Sequence, residues 1–366
     1  MKKLFVLLSL LLLFSNISFS QNYAAAVLDD EFWGYIDEKG NYILQPMYNL
    51  AKDYNSGIGL IKNLDEWYYV NNIGDIIYSS NDYLAKYNFS EGLARVEKNN
   101  LWGFINTSGN IAVEPQFTAV KDFKNGFAAV KLGSLWGFID KKGNYFTAPQ
   151  FFGAKDFENG VAMVKDKTGW VYLNSQKTTF PSNKEYEVYK EFSNEMAAVK
   201  IDKAWGYIDM SGQMIIAPQF TDADQFIGGF APVRVGKYWT YINKKGDFLV
   251  QPIFEVAKEF SDDLALVREK GKYFYINTSG QEIGKNTDYQ IKYSFNEGLA
   301  RIIQNGKWGF IDKTGEIVIS AEYDKVEDFS NGYAAVLKGG KWGFINKAGE
   351  LVIECKYRKV RNFKKL

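Results

Sequence analysis

Three sets of residues in this 366-residue chain could carry chemistry. Aromatic side chains make up 17% of it, enough to build platforms on which sugar rings stack. Carboxylates recur in Lys-Asp-aromatic segments, at Asp53, Asp122 and Asp156, and glycoside hydrolysis requires a pair of them. A third set, Asp37, Asn71, Asn106, Asp140, Asn174, Asp209, Asn243, Asn277, Asp312 and Asn346, offers oxygen ligands of the kind calcium takes. The absences narrow this list. There is no histidine, which removes imidazole metal sites, Ser-His and Cys-His nucleophiles, and histidine acid–base catalysis. The single cysteine, Cys355, excludes an internal disulfide. No glycine-rich phosphate loop precedes a helix, and no helix of useful length is evident. The expectation is a non-enzyme with no catalytic, metal or cofactor site.

Each candidate set recurs at one interval, and a residue explained by a repeat needs no chemistry to explain it. All nine tryptophans occupy one position of one unit: Trp33, Trp67, Trp102, Trp136, Trp170, Trp205, Trp239, Trp308 and Trp342. They lie 34 or 35 residues apart, and Tyr273 fills the one gap, so ten copies span the chain. An aromatic follows each anchor by two, an Ile, Val or Leu by three, and an Asp or Asn by four. Glycine follows at plus seven in every copy except the one with Lys177. On this reading Asp53, Asp122 and Asp156 are solvated turn residues rather than an acid–base pair. The Asx series caps turns, since no Asp-rich ligand run surrounds it. Asn-x-Ser matches at Asn88, Asn106 and Asn277 fall on repeat positions and carry no weight.

The elements that position these residues are short strands. Ala128 to Val130 alternates as a half-buried strand does, and Trp136-Gly-Phe-Ile139 places its two aromatics on one face. In Asp140-Lys-Lys-Gly143 the Asx side chain caps a turn and glycine supplies positive φ. A third strand ends at proline in five copies, Pro46, Pro115, Pro149, Pro218 and Pro252, where ladder pairing must stop. Each unit thus has about three strands and too little apolar surface to stand alone. The anchors read as packing residues, each removing roughly 150–250 Å² from water.

A longer period of 103 residues overlies the first. The units of Trp67, Trp170 and Tyr273 carry one extra residue and lack both the glycine after the anchor and the proline. They share a polar segment ending at Tyr83, Tyr186 and Tyr289. Duplication of a three-unit block accounts for this, as does a superhelix of roughly three units per turn that would align these tyrosines in a binding stripe.

Residues 1–20 read as a secretory signal peptide, with Lys2 and Lys3 before an apolar run from Leu4 to Phe14 and a small-residue pattern at Ser18 to Ser20. That run is too short for a membrane span, which takes about 20 residues. Export to the periplasm, cell surface or medium is expected, with residues 21–366 forming one array. The chain holds 44 basic and 43 acidic side chains, a formal charge of +1, or −1 once Lys2 and Lys3 are set aside. Neither nucleic acid nor an anionic membrane gains support from that balance.

The unit written as F-x-x-G-x-A-x-V-x(5)-W-G-[FY]-I-[DN]-x-x-G-x(5)-P-Q-[FY] resembles the bacterial WG, or KWG, β-repeat. Trp102-Gly, Trp136-Gly, Trp205-Gly, Lys307-Trp-Gly and Lys341-Trp-Gly match it best, while Tyr68, Val171, Thr240 and Phe274 replace the glycine. The resemblance implies an interaction repeat with no catalytic residues to carry over. The expected fold is all-β, an open curved or superhelical solenoid-like array, with a closed β-propeller as the alternative. The expected partner is an unidentified protein, or else a glycan held by aromatics outside the repeat grammar.

Overall fold

The computed structural model describes residues 23–79, 87–180, 186–285 and 287–366. The leader at 1–20 and Tyr83 lie outside the described residues. Among these residues no helix is long and apolar enough to cross a membrane. Ten antiparallel sheets follow one another along the chain, numbered here as blades 1 to 10 by their anchors. In blade 4 the strands are Ala119–Val120, Phe127–Leu132, Leu135–Asp140 and Tyr145–Phe151, each paired with the next.

The unit therefore has four strands, not three. The added strand comes first and is short: Ala119 pairs with Lys131 and Val120 with Val130. A two-residue turn at Asn125 and Gly126, both with positive φ, then reverses the chain into the second strand. So brief a pairing, followed by charged residues, leaves no alternating pattern to read.

Every sheet is buried on both faces. In blade 4, Ala128, Val130 and Ile139 pack toward blade 3, while Ala129 and Phe138 pack toward blade 5. The plus-two aromatic is the largest core group, and at every seam its ring meets an aromatic in or just after the next blade's first strand. Examples are Phe104 with Phe123 at 4.8 Å, Phe138 with Phe157 at 4.9 Å and Tyr241 with Phe260 at 5.0 Å, all edge-on. Such pairs contribute about 0.5–1.5 kcal/mol beyond the area they bury.

The array closes into a ten-bladed β-propeller, which corrects the open solenoid and the three-unit superhelix. Among the described residues there are ten core clusters for ten blades, where an open row would have nine seams. The tenth joins Phe344, Ile353 and Tyr357 of blade 10 to Ala25, Val27, Ile36 and Phe363 of blade 1. Lys359–Val360 supplies the first strand of blade 1, pairing Val360 with Val27 and Lys359 with Leu28. The Arg358 and Arg361 N–H groups donate to the Leu28 and Ala26 carbonyls, both at 2.9 Å. The reason is burial: an open array would leave one apolar face bare at each end. Blades 2, 5 and 8 are thereby spread around the ring instead of stacked along one side.

The glycine after the anchor and the later proline belong to one device. Trp136 pairs with Phe151 and Phe138 with Thr147, so two residues of the third strand face a bulged stretch holding Pro149. A Cβ on Gly137 would lie 2.5 Å from the Thr147 carbonyl oxygen, a clash that glycine avoids. Blades 5 and 8 lack this bulge, pairing Tyr172 with Phe180 and Tyr275 with Ile283, and so accommodate Val171 and Phe274. Thr240 in blade 7 donates its hydroxyl to the Val250 carbonyl, the group equivalent to that of Thr147.

Candidate functional site

The first strands of successive blades are bridged side chain to side chain, so these edges converge on the axis and the fourth strands form the outer rim. Three consecutive residues, in or just after each first strand, define the inner edge: 121–123 in blade 4, 155–157 in blade 5, 190–192 in blade 6. The third is aromatic and buried in all ten blades, from Tyr54 and Phe89 to Phe329 and Phe363. With that ring anchored in the seam, the two residues before it form the lining of a central channel.

Hydroxyl groups fix part of this lining. Where the plus-two aromatic is tyrosine, its OH donates to the carbonyl of the next blade's first lining residue: Tyr35 to Lys52 at 2.6 Å, Tyr207 to Asp224 at 2.8 Å and Tyr241 to Lys258 at 2.6 Å. Tyr69 reaches Tyr87, Tyr172 reaches Lys190 and Tyr275 reaches Tyr293 in the same way. Burial raises the hydroxyl pKa of Tyr35, Tyr207 and Tyr241, which keeps them neutral donors.

The lining is a ladder of charges. A cation at the first position of one blade meets an acid of the next: Lys121 and Asp156 at 3.6 Å, Lys155 and Glu191 at 3.3 Å, Lys190 and Asp224 at 2.7 Å, Arg361 and Asp53 at 4.0 Å. Where Tyr87 and Tyr293 take the cation position, an arginine from the second strand substitutes. Arg95 stacks on Tyr87 at 4.2 Å and donates to both oxygens of Asp122, at 2.6 and 3.2 Å. Arg301 stacks on Tyr293 at 4.1 Å and donates to Asp328 at 3.0 Å. Asp53, Asp122 and Asp156 are therefore members of the ladder, not turn residues. Their recurrence was legible; their convergence required the ring.

The remaining sequence candidates lie elsewhere. Trp33, Trp67, Trp102, Trp136, Trp239, Tyr273, Trp308 and Trp342 are half-buried at the seam edges, Trp205 is buried, and Trp170 is 37% exposed. Cations lie over several of these rings: Lys52 over Trp67 at 4.8 Å, Lys190 over Trp205 at 5.2 Å and Arg361 over Trp33 at 5.5 Å. Tyr289 is buried in the seam of blades 8 and 9, its hydroxyl bonded to the Gly315 carbonyl. Tyr186 packs against a separate core, that of blades 5 and 6. The Asx oxygens are engaged with their turns: Asp140 Oδ1 accepts the N–H groups of Lys142 and Asn144, both at 2.9 Å. Cys355 stands at the proline position of blade 10, half-buried.

Fold and site define a class: a closed all-β propeller of repeated blades with a charged inner face. The profile of the family described as WG containing repeat matches residues 33–67, 82–102, 102–136, 136–169, 205–239, 239–273, 289–308, 308–342 and 342–365. The chain belongs to this WG β-repeat family. No curated protein matches its sequence. Among solved structures it is similar to one titled as the eukaryotic initiation factor, at a TM-score of 0.52 and 10% identity, over 94% of this chain and 98% of that one. That likeness is one of fold alone. It is also similar to PorZ, a surface component of the type-IX secretion system of Porphyromonas gingivalis, at a TM-score of 0.28 and 8% identity. This second match covers 73% of this chain and 46% of that one, and at such a score it carries no functional argument.

Proposed function

We propose that the ring is an exported, non-catalytic scaffold that binds a protein partner on its charged inner face. One observation carries this reading. The seam aromatics are uniform around the ring, whereas the two lining residues differ: Lys-Asp in blades 4 and 5, Tyr-Asn in blade 3, Asp-Gln in blade 7, Tyr-Ser in blade 9. Ten converging edges with unlike polar residues make one irregular surface, suited to recognition. The glycan alternative needs a row of free rings outside the anchors, and the exposed ones among the described residues, Phe32, Tyr145, Phe152, Tyr238 and Phe248, fall in blades 1, 4, 5 and 7 at three different repeat positions. The leader-like residues 1–20 support export, which would place the partner in the periplasm, at the cell surface or beyond.

The test is site-specific photo-crosslinking in the native cell. A photoreactive residue at position 155, inside the ring, is expected to give a discrete protein adduct, and one at Leu64, which is 78% exposed, is expected to give none. Adducts from Leu64 alone, or glycan binding abolished by Trp170→Ala, would overturn the proposal.

A further inference from the structure

At one seam the ladder sets acid against acid. Asp224 occupies a cation position in blade 7, so Glu259 of blade 8 meets an acid where its counterparts Asp156 and Glu191 meet lysines. One seam further, Lys258 meets Ser294 where an acid would complete the rung. A hollow of about 620 Å³ lies at this break on the inner face, and its wall includes Asp224, Lys258, Glu259 and Ser294. It continues into a second hollow of about 360 Å³ that shares Asp224 and Glu259 and reaches Lys155 and Lys190. The missing charge and the missing volume coincide.

We propose that this break is a pocket for one basic side chain, an arginine or lysine presented by a protein partner and held by Glu259 and Asp224. This rests on the reading of the inner face as a protein-binding surface. Asp224 Oδ1 accepts a bond from Lys190 Nζ at 2.7 Å, and its second oxygen accepts none among the described residues. Glu259 is exposed and carries no ion pair among those of the ladder; loss of hydration and then Asp224 raise its carboxyl pKa, against a smaller lowering by Lys190 and Lys258. An added cation favours the charged carboxylate and so offsets both. A guanidinium suits two carboxylates best, since its planar fork donates to both at once. The backbone on each side is already fixed, with the Asp224 carbonyl held by Tyr207 and the Lys258 carbonyl by Tyr241. Lys258, on the Ser294 side, restricts the pocket to a single positive group. A metal is a poorer occupant: among the described residues no group of three His, Cys, Asp or Glu is placed to hold one.

The experiment titrates the whole protein with a capped Gly-Arg-Gly peptide, and with its citrulline analogue, which keeps the shape and loses the charge. Binding is followed by calorimetry and by chemical-shift changes. The arginine peptide is expected to bind, the citrulline peptide to bind at least about tenfold more weakly, and Glu259→Gln to weaken the arginine peptide by a similar factor. Asp65→Asn, in the exposed turn between the second and third strands of blade 2, is the control and should change binding less than about twofold. Equal binding of the two peptides, no effect of Glu259→Gln, or calcium ions displacing the arginine peptide at equal concentration would each overturn the pocket. If the peptide fails while position 155 still yields its crosslink, the pocket falls and the inner-face reading stands. If both fail, the reading falls as well.

Discussion

In blades 4 to 6 the inner strands present Lys121, Lys155 and Lys190 to Asp156, Glu191 and Asp224, and each rung is filled. In blades 7 to 9 the same positions hold Asp224-Gln225, Lys258-Glu259 and Tyr293-Ser294, and the rungs from Asp224 and Lys258 are left open. Behind both arcs the seams are alike: Phe138 meets Phe157 at 4.9 Å and Tyr241 meets Phe260 at 5.0 Å. The two arcs differ in lining and share a core. Packing constrains the third inner residue at every blade, which leaves the two before it free to diverge without cost to the ring. A repeat protein can in this way hold one architecture while writing a distinct surface on it.

If the cores are equivalent, truncating them should cost the same in either arc. Phe138→Ala and Tyr241→Ala are each expected to lose about 3–5 kcal/mol by denaturant unfolding. A loss confined to one arc would break the comparison. The bulge device comes next: Gly137→Ala forces a Cβ against the Thr147 carbonyl and is expected to cost about 1–3 kcal/mol. Thr240→Ala removes only a hydroxyl bond, worth about 1 kcal/mol.

Tyr241→Phe isolates the tie to the lining, leaving the Lys258 carbonyl without its donor; the expected loss is about 0.5–1.5 kcal/mol. Smallest are the charges themselves. Lys155→Ala in the filled arc should cost less than about 1 kcal/mol, because the pair is solvated. Glu259→Gln in the open arc should cost nothing or stabilise slightly.

The pH dependence carries the same contrast. The Glu259 pKa is raised on folding, so its ionisation costs stability as pH rises above the ordinary carboxylate range. The Glu91 pKa is lowered, since its bonds from the Gly126 N–H and Lys141 outweigh its partial burial. Its contribution is present above the unfolded value and is lost as pH falls through the folded one. Melting temperatures of Glu259→Gln and Glu91→Gln across the acid range should therefore depart from the parent in opposite senses.

Much of this was legible in the residues. Strand positions, Asx turns and ten units follow from anchor spacing, because glycine, tryptophan and Asx each answer a local steric or hydrogen-bonding demand. The added first strand was hidden because Ala119 and Val120 alone pair, and the charged and polar residues around Phe123 resemble a turn. Ring closure was hidden for a different reason. It depends on Val360 meeting Val27, a contact between residues more than 300 apart that no local pattern encodes. The inner ladder follows from closure, so Asp53, Asp122 and Asp156 could be seen to recur but not to converge. The choice of tyrosine or phenylalanine at plus two was visible throughout, yet its meaning, a hydroxyl tie to the channel wall, needs the neighbouring blade.

Small-angle scattering on residues 21–366 tests closure most directly, and the inner face exists only if the ring closes. A compact chain of this length has a radius of gyration of roughly 20 Å, and a closed ring should fall within a few ångströms above that, with a single-peaked distance distribution. A much larger radius with a long-distance tail would mean an open row of blades, and would contradict the channel, its ladder and the pocket at its break together.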